Sequence, residues 1–393
     1  MLVQDGLPTP ARYHAMVVII LGIALSVLDG TIVNLALPGI ARDLHVTAPQ
    51  TVWVVNAYQV AILGLLLPCA ALGDQIGYRR VYLWGLSLFT LASLGCVLAT
   101  SLSGLVAARV VQGLGAAGIM AVNSALVKLI YPKAMFGRGV AINSMVVATA
   151  SVAGPTVAAG ILSIAPLPWL FALNVPLGVA VLVLGRRSLP VNTAPPAGLK
   201  ISPVDVLLNA LMFGLVFLGA NALGTDVAEG AAFGRVVWPL AMLVAGLGFG
   251  VLYVRRQLRL ATPLLPLDLL RIPVFALSMC TSIGAFAAQM LAYISLPFLL
   301  LDTYGLSHLK TGALITAWPV AIVVVAPIVG RLIGRIPDGL LGGIGLGMLA
   351  TGLALLAALP TQPSDFDIAW RLALCGAGFA VFQSPNNHTI LTS

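Results

Sequence analysis

Residues 25–40, LSVLDGTIVNLALPGI, carry an aspartate, Asp29, near the middle of an apolar run. Whether that run spans a membrane decides the fold. A carboxylate at the centre of a bilayer costs on the order of 3 kcal/mol even on the mildest scale, so such a residue faces a partner or a wet cavity. The 393-residue chain is 60% hydrophobic and 8% charged, with a mean hydropathy of +1.06. A soluble domain carries about 25% charged residues. So few charges cannot clothe a water-soluble surface, and the chain reads as an all-α polytopic membrane protein.

Apolar runs long enough to cross a bilayer recur along the whole chain. They lie at 15–37, 51–72, 80–100, 104–130, 138–162, 168–186, 203–223, 236–254, 274–300, 311–334, 340–359 and 369–390, which makes twelve spans. They are too long and too evenly apolar for the alternating strands of an outer-membrane barrel. The first run has no small-residue cleavage pattern and is not a signal peptide.

The net charge of +8 reads as topology and not as nucleic-acid binding. Arg79 and Arg80, Lys128 and Lys133, Arg186 and Arg187, Arg255 and Arg256, and Arg331 and Arg335 all fall at one side of the predicted spans. The opposite side holds only Arg42, Arg235, Lys310 and Arg371. The positive-inside rule then sets the N-terminus in the cytoplasm. Cys69, Cys96, Cys280 and Cys375 lie within apolar runs without metal-ligand spacing. No phosphate-binding GxxxxGK[ST] loop occurs. Neither a metal nor an organic cofactor is expected, nor an enzyme, and an ion gradient is the expected energy source.

A short internal repeat organises the chain. Gly73, Ile76 and Gly77 of GDQIGYRR match Gly330, Ile333 and Gly334 of GRLIGRIP at a separation of 257. Eight spans separate the copies, where a plain six-plus-six chain would have six. The expected domains are an N-terminal six-helix bundle (1–186), a cytoplasmic linker (187–202), two inserted helices (203–254) and a C-terminal bundle (255–393). Only four spans of that last bundle are present, so a fourteen-helix protein shortened to twelve is expected.

The polar residues inside the spans are the candidate site. On the fourth span Arg109, Gln112, Gly113, Ala116, Met120 and Asn123 share a face. The first span offers Ser26, Asp29 and Val33, with Asn34 beside them. The second offers Asn56 and Gln59, with Tyr58 turned aside. Gln289 and Tyr293 share a face of the ninth span, and Gln383 lies in the last. Asp29 and Arg109 have opposite charges. They read either as a structural lock between the first and fourth spans or as a proton or cation site, because neighbouring charge and burial tune a carboxylate's ionisation. The intramembrane amides are ordinary interhelical glue or the lining of a substrate cavity. Gly154-Pro155 in the fifth span predicts a bend. Gly73, Asp74, Gly77, Arg79 and Arg80 read as a latch between helix ends or as a topogenic charge cluster. His388, beside Asn386 and Asn387, reads as a structural polar break.

Together these stretches resemble the major facilitator superfamily, and within it the fourteen-helix drug/proton antiporters. The resemblance rests on LDGTIVNLALP (28–38), GDQIGYRR (73–80), RVVQGLGAAG (109–118), AGPTVAAG (153–160), WLFALNVPLG (169–178) and FQSPNN (382–387), in order along nearly the whole chain. It implies two six-helix bundles plus two inserted helices. It implies extrusion of lipophilic, cationic drugs or biocides by alternating access, driven by protons across a bacterial inner membrane, by a monomer. Asp29 and Arg109 would couple protons, Asp74 and Arg79 would latch the cytoplasmic side, and Gly154 and Pro155 would form the antiporter bend. Ala70, Tyr78, Ala158, Ala159 and Pro168 depart from the family pattern. A metabolite symporter, a siderophore exporter or a non-transporting membrane protein are the alternatives.

Overall fold

The structure is a computed structural model and describes residues 5–191, 202–228, 233–260 and 267–392. Twelve helical segments account for nearly all of them. They are α1 (Thr9–Asp43), α2 (Ala48–Ile76), α3 (Tyr78–Leu98), α4 (Leu102–Ile130) and α5 (Phe136–Ile164), followed by α6, which is broken into Trp169–Ala172 and Asn174–Ser188. Then come α7 (Pro203–Ala228), α8 (Phe233–Gln257), α9 (Pro273–Phe298), α10, broken into His308–Ile315 and Ala317–Leu332, α11 (Asp338–Ala357) and α12 (Asp365–Thr392). The expected twelve spans are all present as helix. Large apolar side chains such as Leu91, Leu98, Trp238 and Leu291 are between 67% and 69% exposed, as befits helices solvated by acyl chains.

The chain forms two units. The first comprises Met1–Val140 and Val157–Leu265, the second Ala141–Thr156 and Pro266–Ser393. The linker expected at 187–202 falls mostly outside the described residues. Within the first unit, α3 and α4 interlock through glycines. A methyl group on Gly115 would lie 2.5 Å from the Phe89 nitrogen, and one on Gly85 would lie 2.7 Å from the Gly115 oxygen. Such close backbone approach stands in for hydrophobic packing where the solvent is itself apolar. In the second unit Gly345 meets Phe382 and Gly378 as Gly85 meets Ile119 and Gly115. Likewise Gly376 abuts the Trp318 oxygen and the Ala321 Cβ, as Gly113 abuts the Tyr58 oxygen and the Ala61 Cβ.

Residues of α2 and α3 therefore correspond to residues 260 further along, and residues of α4 to residues 263 further along. Helix caps keep the same register. The hydroxyls of Thr47 and Ser307 both accept the N–H three residues on, as do those of Ser101 (3.2 Å) and Ser364 (3.1 Å). The separation of 257 belongs to the turns alone. Gly77, at φ 103°, is the single residue between α2 and α3, whereas Gly334, at φ 83°, sits in the longer reversal 333–337.

The pair α7–α8 is built onto the first unit. The Asn209 amide donates to the Gly64 oxygen at 2.7 Å, where Ala210 lies against Gly64. Arg256 binds Asp205 at 2.6 Å between the two helices. Ahead of α1, residues 5–7 strap onto the α4–α5 connection. Leu7 N–H donates to the Ile130 oxygen at 3.0 Å, and Asp5 accepts from Lys133 N–H at 3.1 Å.

Candidate functional site

Asp29 comes from α1, Tyr58 from α2, Ser93 and Cys96 from α3, Arg109 and Gln112 from α4, and Phe171 and Asn174 from the joint of α6. All eight belong to the first unit. Helical spacing brings Arg109 and Gln112 onto one face three residues apart. The small residues Gly113, Gly115 and Ala116 let α2 and α3 close around them. Arg109 stands seven residues inside α4, about 10 Å along the axis from its N-terminus.

The geometry is that of a fully partnered carboxylate. Arg109 Nη1 donates to Asp29 Oδ2. Asp29 Oδ1 accepts from Gln112 Nε2 at 2.9 Å and from Asn174 Nδ2 at 2.6 Å. Arg109 is itself held: Nε donates to the Val54 oxygen at 3.0 Å, and Nη1 donates to Gln112 Oε1 at 2.6 Å. Its guanidinium lies 4.2 Å from the Tyr58 ring centroid and 5.8 Å from that of Phe171, within cation–π range. Gln112 Nε2 also reaches Ser93 Oγ at 2.8 Å. Tyr58 Oη donates to the Ser26 oxygen at 2.7 Å. Asp29 is 2% exposed and Arg109 fully enclosed.

Of the partner or wet cavity that the sequence left open for Asp29, the structure supplies partners: three donors from α4 and α6 enclose the carboxylate. One expectation changes here. Tyr58 is not turned aside. The inward stripe of α2 is Val54, Ala57, Tyr58 and Ala61, all buried, while Gln59 is exposed. Two amides three residues apart fix a helix face only loosely, and in lipid the apolar residues around them give no help. Asn174, Ser93 and Tyr58 complete the cluster although spacing had not selected them. The available signal was Asn174 in the stretch WLFALNVPLG, a polar residue inside an apolar span.

The other candidates are spread over both units. In the first, Asn56 and Asn123 are buried and Asn34 is exposed. In the second, Gln289 is buried, Tyr293 stacks at 5.2 Å on Trp318 and Gln383 is half-buried. At the α2–α3 turn Asp74 accepts from Tyr78 Oη at 2.5 Å, and Arg79 donates to the Arg186 oxygen near the end of α6. Gly73 packs tightly on Val122 and Tyr78, and Arg80 is exposed. The α5 helix runs through buried Gly154 and through Pro155. His388 is paired with Asp338 at 2.7 Å, and Asn386 Nδ2 donates to Ser282 Oγ at 2.7 Å. Among the described residues no group of three or more His, Cys, Asp or Glu side chains is placed to hold a metal.

Comparison with known proteins bears on this site. The family model of the Major Facilitator Superfamily matches residues 19–393. The uncharacterized transporter YebQ of Escherichia coli (strain K12) is 51% identical over 99% of this chain and 84% of its own length. The riboflavin transporter RibZ of Clostridioides difficile (strain 630) is 27% identical over 97% and 81%. The multidrug resistance protein Stp of Mycobacterium tuberculosis (strain CDC 1551 / Oshkosh) is 32% identical over 95% and 68%. Among solved structures, the human organic anion transporter MFSD10 superposes with a TM-score of 0.66 at 15% identity, over 96% of this chain and 85% of its own. The chain belongs to the Major Facilitator Superfamily and is a multi-pass membrane transporter.

Proposed function

We propose, from this membership, that the protein is a proton-coupled exporter of lipophilic small molecules, cationic drugs and biocides among them. It would work as a monomer in the bacterial inner membrane with its N-terminus in the cytoplasm. The observation that carries the reading is the enclosed Asp29–Arg109 pair. A buried pair is weak evidence for stability, because desolvating two charges offsets much of their attraction. The second unit builds the same glycine-locked helix packing with Leu372 and Cys375 where the first has Arg109 and Gln112. The second unit thus packs its helices without charges at these positions, which supports a functional role for them in the first.

In this mechanism Asp29 takes a proton from outside and releases it inside. Protonation removes the charge that Arg109 balances. Arg109 then keeps the Val54 carbonyl, the Gln112 carbonyl and the Tyr58 ring as partners. The helices that share the carboxylate, α1, α4 and α6, lose one ionic contact together, and this biases the alternation between outward and inward access. Each elementary charge moved inward gains about 2.3 kcal/mol per 100 mV of membrane potential. Asn34, Asn56, Asn123, Gln289, Tyr293 and Gln383 are proposed cargo contacts. The α2–α3 turn, with Asp74, Arg79 and Arg80, is the proposed latch, and Gly154-Pro155 the proposed bend. Resemblance to drug/proton antiporters and the relative named for multidrug resistance support export. The riboflavin transporter among the relatives favours a second reading, a neutral planar heterocycle as cargo.

The test is reconstitution in proteoliposomes with an imposed pH gradient. Ethidium serves as cationic probe and riboflavin as neutral probe. Asp29→Asn is expected to insert normally and to abolish gradient-driven movement of whichever probe is carried. Unchanged gradient-driven transport by that variant rejects the role of Asp29.

A further inference from the structure

The two amides on Asp29 are not equivalent. Gln112 is engaged at both ends: its oxygen accepts from Arg109 Nη1 at 2.6 Å and from Cys96 Sγ at 3.6 Å, and its nitrogen serves Ser93 and Asp29. It cannot turn over without breaking all four contacts. Asn174, 4% exposed, makes one side-chain hydrogen bond among the described residues, to Asp29 Oδ1 at 2.6 Å. Its amide can rotate at the expense of that bond alone. Asn174 is also the first residue after Leu173, the joint that splits α6. On the other side of the joint Phe171 faces the Arg109 guanidinium. The joint therefore touches both members of the pair, the acid through Asn174 and the base through Phe171.

A carboxylate only accepts hydrogen bonds, whereas a carboxylic acid carries one O–H donor. A proton on Oδ1 would point at the Asn174 N–H, donor against donor. Half a turn of the amide presents its oxygen to that O–H and restores one bond for the one lost. Arg109 prevents the same rearrangement at Gln112.

We propose that Asn174 is the positioning residue that follows the protonation of Asp29, donating to the carboxylate and accepting from the acid, and so passes the proton's arrival to the joint of α6. This rests on the reading of Asp29 as the proton site. The titratable and charged groups facing Asp29 are Arg109 from α4, Tyr58 from α2 and Cys96 from α3. None comes from α6, so Asn174 adds no charge of its own.

The experiment is an infrared difference titration of the full chain in lipid nanodiscs, with no cargo present. The protonated-carboxyl band absent from Asp29→Asn reports Asp29. In Asn174→Leu the carboxylate loses a charge-assisted bond and the acid loses a weaker neutral one. The band's half-point is therefore expected to move alkaline by about half a pH unit, roughly a threefold change in proton affinity. Asn174→Gln, which keeps the amide, is expected to return most of that shift. In the unsubstituted chain the side-chain amide carbonyl band that Asn174→Gln displaces is expected to change in step with the carboxyl band, so poor folding of Asn174→Leu leaves the proposal open to refutation. A carboxyl band that titrates with the same half-point in Asn174→Leu, or an amide band that stays still, overturns the inference and leaves the proton site standing. If no band disappears in Asp29→Asn, the proton site itself fails and the inference falls with it.

Discussion

Where the first unit encloses Arg109, the second, 263 residues on, encloses Leu372; where the first sets Tyr58, Ser93 and Gln112, the second sets Trp318, Leu353 and Cys375. At the register of the caps, Asp29 corresponds to Gln289. Between them the helices approach through the same glycines at the same contacts. One scaffold is thus filled twice, once with an ion pair, amides and hydroxyls and once with a single amide beside indole, aliphatic and thiol groups. Asn123 and Asn386 are polar in both copies and buried in both. The contrast separates what holds the helices together, which is shared, from what the first unit adds, which is charge.

Four measurements break or sharpen that contrast. The largest effect is expected from writing the second unit's residue into the first. Arg109→Leu leaves the Asp29 carboxylate enclosed without its counter-charge and should cost about 3–5 kcal/mol, read by thermal unfolding in detergent. The double variant Asp29→Gln, Arg109→Leu copies Gln289 and Leu372 and should regain most of that stability while gradient-driven transport stays absent. A double variant no more stable than the single one would show that the first unit needs its charges to fold.

The shared part is tested next. Gly113→Ala and Gly376→Ala each push a methyl group into a backbone oxygen, of Tyr58 and of Trp318. Backbone cannot step aside as a side chain can, so each should cost about 1–3 kcal/mol. Gly347→Ala, which meets nothing within 4 Å, should stay within about 0.5 kcal/mol. Unequal losses at 113 and 376 would mean that the two packings are alike in outline only.

A comparable loss is expected at the turns. Gly77 and Gly334 both have positive φ, which an alanine adopts at a cost of about 1–3 kcal/mol. Gly77→Ala should lose more, since its turn is a single residue and Gly334 has neighbours that can share the strain. The smallest effects belong to the helix ends. Tyr78→Phe removes the bond to Asp74, and His388→Gln alters the contact with Asp338. Both are near the surface, and each should change the unfolding midpoint by the equivalent of about 1 kcal/mol or less.

Much of this was legible because lipid punishes polarity. Asp29 and Arg109 stand out in an apolar chain, and their meeting follows from opposite charge in a medium with no water. The turn glycines are legible because no other residue takes their φ. The neighbours that finish the site were harder to see. In a soluble helix the apolar stripe marks the inside, but here α2 is apolar all round, so Tyr58 and Gln59 could not be sorted by pattern. Asn174 stood out as a polar residue in an apolar span, but its place beside Asp29 follows only from the break of α6 at Leu173. The register of the repeat was legible at its turns, at a separation of 257, and hidden in its helices, which keep separations of 260 and 263.

The pair joins residues 80 apart in the chain. At synthesis rates of about 5–20 residues per second, Asp29 leaves the ribosome roughly 4–16 s before Arg109. During that interval the first helix carries its acid with no guanidinium to answer it. The residues that strap its front end, Ile130 and Lys133, arrive later still. The first helix is therefore made well before its partner, and the charged centre can form only once the fourth helix has followed it.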